Sequence, residues 1–101
     1  MAIETVPFDA AAYLDTPEAQ AALVADALHT GDAAYIANAI GVVARARGMS
    51  QIARDAGVTR EALYKALSPT GDPRLSTFLG VMKALNLEVT AKPVDLEALA
   101  D

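Results

Sequence analysis

Two stretches that read as short capped helices, Ser50–Ala56 and Thr59–Leu67, are separated only by Gly57 and Val58, the tightest turn the chain offers. This layout is that of a helix-turn-helix, and its residue types have physical reasons. Ala53 is small where two helices must cross at a steep angle, and Gly57 can take the positive φ of the turn. Ile52, Val58 and Leu63 fill the wedge between the helices, while Ala56 and Ala66 complete the inner face. On a helical wheel Leu63, Ala66 and Leu67 point inward. Glu61, Lys65 and one side of Tyr64 point outward, and Arg60 projects from the first turn. An ordinary helical hairpin is the plain alternative, but it would not require Arg60 and Lys65 on the outer face beside so short a turn.

The outward residues have the chemistry of a DNA reader. Arginine can donate two hydrogen bonds to guanine O6 and N7, and glutamate can accept one from cytosine N4. Arg60, Glu61 and Lys65 are therefore expected at base edges in the major groove, with Thr59 and Tyr64 at phosphates. Glu61 has the alternative task of orienting Arg60 or Lys65. Ser50 and Gln51 should meet the DNA backbone through the hydroxyl, the amide and the start of their helix.

Helix punctuation organises the rest of the chain. Thr16-Pro17-Glu18 supplies a cap, a first-turn proline and an acid, so a helix is expected from there to Thr30-Gly31. Asp32 caps a second, in which Ile36, Ala39, Ile40 and Val43 recur at helical spacing until Gly48. Beside them Ala37, Gly41 and Ala44 form a small-residue strip that suits close packing. Ser68 to Pro73 must be a loop, because two prolines and a glycine exclude continued helix. Leu75, Phe78, Leu79, Met82 and Leu85 make an apolar stripe on a fifth helix and are expected in the core. Leu87, Val89 and Ala91 then alternate with polar residues, which predicts a short strand within 88–94, halted by Pro93. The expected fold is all-α: one domain over 1–101, with an arm (1–14), a five-helix core (15–87) containing the helix-turn-helix (50–67), the strand, and an acidic tail (95–101).

Charge is segregated along the chain. Residues 1–44 hold six acids and no Lys or Arg, whereas all eight Lys and Arg fall within 45–92 beside four acids. The net charge of −5 thus hides a cationic half, and the asymmetry points to two partners, one polyanionic and one basic. With no cysteine there is no disulfide framework, which fits a reducing compartment. The start lacks a basic region and an apolar run, and no stretch approaches a membrane span, so a cytoplasmic protein without membrane contact is expected.

Enzymatic signals are missing. The single histidine, His29, falls in the last turn of the first expected helix, where a cation suits the helix dipole. There is no glycine-rich phosphate loop, no HExxH and no second histidine, and the serines adjoin helix starts rather than a base. No catalysis, cofactor or metal is expected. One short recognition helix makes few contacts, so a homodimer spanning two half-sites is. Leu87, Val89 and Ala91 form the candidate interface, since strand pairing about a twofold axis would satisfy their backbone groups. Pairing with residues 2–6 of the same chain is the competing arrangement.

Taken together, Phe8–Asp15, Gly31-Asp32, Ala44–Ala53, Arg60–Pro69 and Gly71–Pro73 resemble the HigA-type addiction-module antidote proteins, small helix-turn-helix antitoxins. The string Leu63-Tyr-Lys-Ala-Leu-Ser-Pro69 carries the most specific part of the likeness. Asp72 stands where the family pattern suggests Asn. The resemblance implies a repressor-like domain, a dimer on a palindromic operator, and neutralisation of a RelE/ParE-like toxin. A small basic toxin would meet the acidic half, with Phe8, Tyr13 and Leu14 as apolar anchors unless these instead cover the protein's own core. A stand-alone repressor without a toxin, and an interaction module that no longer binds DNA, are the alternatives.

Overall fold

The computed structural model describes residues 15–94, which form five helices. The first, α1 (Pro17–Thr30), begins where Thr16 Oγ1 accepts a hydrogen bond from the Ala19 amide at 3.1 Å. It stops at Gly31, whose left-handed backbone turns the chain back on itself. Asp32 then caps α2 (Ala33–Arg47), accepting from the amides of Ala34 and Tyr35 at 3.0 and 3.2 Å. With a connection of only Gly31 and Asp32, α1 and α2 pack against each other.

Gly48 alone separates α2 from α3 (Met49–Ala56). Its amide closes α2 on the Ala44 carbonyl at 2.8 Å, and its own carbonyl accepts from Ile52 to open α3. Because one residue performs both tasks, Ser50 lies inside α3 and caps nothing. A hydroxyl cap was expected there and is absent. Gly57 ends α3 with φ +77°, and Thr59 opens α4 (Arg60–Ala66) by accepting from the Ala62 amide at 3.0 Å. After the loop 67–74, α5 (Leu75–Ala84) packs on α3.

The core runs through all five helices, with Val24, Ile40, Val43, Ile52, Leu63, Val81 and Leu85 each at most 2% exposed. The small-residue strip of α2 is buried as expected. A side chain on Gly41 would meet the backbone oxygen of Leu67 at 3.3 Å, so this glycine lets the end of α4 settle onto α2. Arg47 ties three elements together: it donates to Gln20 Oε1 on α1 at 2.8 Å and to the Leu85 carbonyl after α5 at 3.1 Å.

Two further expectations fail. Leu75 and Leu79 are 70% and 48% exposed rather than in the core. The close approach of α3 to α5 at Gly80, where a Cβ would sit 3.2 Å from the Ala56 carbonyl oxygen, accompanies this orientation. Val81 and Ala84 face inward, and the Leu75–Leu79 edge faces out. The strand within 88–94 is also absent, because residues 87–94 run without regular structure and no strand occurs among the described residues to pair with them. Leu87 packs half-buried on the core, while Val89 and Ala91 are exposed. The arm 1–14, with Phe8, Tyr13 and Leu14, and the tail 95–101 lie outside the described residues.

Candidate functional site

The α3–turn–α4 unit is fixed from below by its apolar residues. Ile52, Ala53, Leu63 and Leu67 are buried, with Ala56, Val58 and Ala66 partly so. Burying Leu63 completely contributes about 1.5–3 kcal/mol relative to leaving it in water. The Val58 amide donates to the Ala53 carbonyl at 3.0 Å, which locks the turn onto α3. Seven apolar or small positions singled out in the sequence thus face the interior or its margin.

The opposite face is open. Ser50, Gln51, Thr59, Arg60, Glu61, Tyr64 and Lys65 are all exposed. Arg60 and Tyr64 touch: the guanidinium carbon lies 5.3 Å from the ring centroid, and a guanidinium nitrogen is 3.4 Å from the hydroxyl oxygen. One turn of helix separates them, so the ring supports the cation along α4. That hydrogen bond, aided by the nearby Glu61 carboxylate, raises the Arg60 pKa above its ordinary value. The guanidinium is exposed and, like any arginine, carries its charge at physiological pH. Thr59 already uses its hydroxyl to cap α4, which leaves the oxygen's remaining donor capacity for a phosphate.

Gln51 is less independent than its sequence position implies. Its amide donates to Asp55 Oδ1 at 2.8 Å, and its carbonyl oxygen accepts from Arg54 at 2.7 Å. Arg54 is thereby held on the exposed side of α3 beside a predicted phosphate contact, a role that reading by motif position overlooked. Arg74 was also overlooked. It stands at the start of α5 and, with Lys65, lines a groove of about 340 Å³ between α4 and the loop 67–74. The signal for both was available in their sign alone, since Arg54 and Arg74 belong to the cationic half of the chain.

No helix among the described residues is long and apolar enough to cross a membrane. None of those residues assemble a cluster of three or more His, Cys, Asp or Glu suited to a metal. The fold and this face define a small all-helical protein that presents a short exposed helix over a buried wedge.

The chain belongs to a family described as probable addiction module antidote proteins, whose model matches residues 4–93. An uncharacterized protein of Haemophilus influenzae is 51% identical over 81 residues, covering 80% of this chain and 84% of the relative. No solved structure matches. Antidote membership implies a toxin as partner and agrees with the resemblance at that level.

Proposed function

We propose that the protein is a non-catalytic, HigA-type antitoxin with two roles: it neutralises a RelE/ParE-like toxin by direct binding, and it represses its own operon as a DNA-binding homodimer. The observation that carries the DNA role is the exposed face of α4. Arg60, Glu61, Tyr64 and Lys65 stand together on a helix whose other side is anchored by Leu63 and Leu67. In this reading α4 enters the major groove. Arg60 and Lys65 read guanines, Glu61 reads cytosine or steers its neighbours, and Thr59 and Tyr64 hold phosphates. Ser50 and Gln51 reach the backbone from α3, joined by Arg54 and Arg74. Because α4 has only seven residues, two copies on half-sites about 34 Å apart supply the affinity one copy lacks.

The toxin role rests on family membership together with the acidic first half of the chain. Complementary charge would accelerate the encounter, and apolar anchors would hold the complex. A gel-shift titration on the protein's own promoter tests the DNA role. Arg60→Ala should relax sequence preference, and the Arg60→Ala, Lys65→Ala pair should weaken specific binding at least about thirtyfold, as expected for two base contacts each contributing about 1–3 kcal/mol. Unchanged affinity of the double variant would remove α4 from the interface.

A further inference from the structure

A second groove, of about 350 Å³, lies between α1 and the chain that follows α5. Its floor is apolar, built from Ala21, Val24, Leu28, Met82 and Leu87. Glu18 and Glu88 stand in its wall, and among the described residues no Lys, Arg or His lines it. The groove beside α4 differs in character, with Lys65 and Arg74 in its lining against the single acid Asp72. The two grooves thus differ in the sign of their charged lining.

We propose that the α1 groove is the docking site for the toxin, taking an apolar side chain flanked by Lys or Arg from a cationic partner surface. This rests on the antidote reading and names the surface that reading leaves open. Charge selects the occupant. The protein's own residues 1–14 carry Glu4 and Asp9 and no Lys or Arg, so their charge does not complement the rim. A second copy placed symmetrically across the groove would set Glu18 and Glu88 against their own images. A cationic partner meets neither penalty. Its apolar anchor gains the burial that Leu28, 36% exposed, now lacks, while its cations pair with the two carboxylates. The groove is close to the lower limit of ligand pockets, about 300–1,000 Å³, which suits one or two anchoring side chains at the centre of a wider contact.

The test uses the full chain and the purified product of the reading frame beside its gene, with affinity measured by calorimetry. Ala25→Trp fills the groove from an exposed helix position, and Glu18→Lys with Glu88→Lys reverses its rim. Each should weaken binding at least tenfold, and the charge reversal should also slow association and flatten its salt dependence. Thermal melts and light scattering of the same variants serve as controls, and both should match the wild type. Wild-type affinity in both variants would overturn the docking site while leaving the antidote reading intact. Absence of binding by the wild type would overturn both. A melting temperature lowered by Ala25→Trp only while residues 1–14 are present would assign the groove to the chain's own arm. Loss of dimer in Ala25→Trp would assign it to a second copy, and either result would overturn the proposal.

Discussion

Two glycines near α4 are required for different physical reasons. Gly57 has φ +77°, yet a Cβ there would meet nothing within 4 Å, so only the backbone conformation resists a side chain. Gly71 has the reverse problem, because its Cβ would overlap the carbonyl oxygens of Lys65 and Ala66. Gly57→Ala should therefore destabilise the fold by about 1–2 kcal/mol, the usual penalty of a left-handed L-residue. Gly71→Ala should destabilise it more, since backbone rather than a flexible side chain must move. Urea denaturation of the two variants checks this ordering, and equal midpoints would contradict it. The turn role of Gly57 was legible in the sequence from its place between two caps. The crowding at Gly71 was not, because it arises only once the loop folds back over the end of α4. The contact between Arg60 and Tyr64 is intermediate: their spacing of four residues makes it reachable, but the rotamers decide whether it forms.

Among the elements, the helices were the most legible because their ends are marked by local chemistry. Thr16, Asp32 and Thr59 cap as expected, and Gly31, Gly48 and Gly57 stop the preceding helices. Ser50 misleads because a cap requires a free residue before the helix, and Gly48 had already taken that place. The stripe on α5 fails for a tertiary reason. At about 100° per residue, the face formed by Phe78, Val81, Met82 and Leu85 is rotated by about 45° from the stripe read in the sequence. Contact of Gly80 with Ala56 accompanies that rotation, and periodicity cannot see it. Leu85→Ala should consequently destabilise the fold by about 2–5 kcal/mol. Leu75→Ala, at a site 70% exposed, should stay within about 0.5 kcal/mol of the wild type. Chemical denaturation of the pair would contradict the packing described if both had equal effects. The expected strand fails because alternation describes only one side of a ladder. Leu87 joins the core, but without a paired strand the backbone beyond it has no reason to stay in register.

At the scale of the whole molecule, separation of charge is what sequence and structure share most directly. A net charge of −5 would count against a DNA-binding protein, yet four of the eight cations, Arg54, Arg60, Lys65 and Arg74, stand exposed on α3, α4 and the loop before α5. Glu18 of α1 and Glu88 of the segment after α5 border a groove of their own. The separation was legible from the order of charged residues, whereas the groove was not, since it forms between segments some sixty residues apart in the chain. On the proposed division into a DNA face and a toxin groove, each should be disabled without the other. Growth rescue is the direct measurement: cells expressing the toxin of the adjacent reading frame, supplied with the wild type or with the Arg60→Ala, Lys65→Ala variant. Both proteins should restore growth fully, although the variant no longer holds the promoter. Failure of the wild type to rescue would contradict the antitoxin role, and failure of the variant alone, while folded, would contradict the division into two sites.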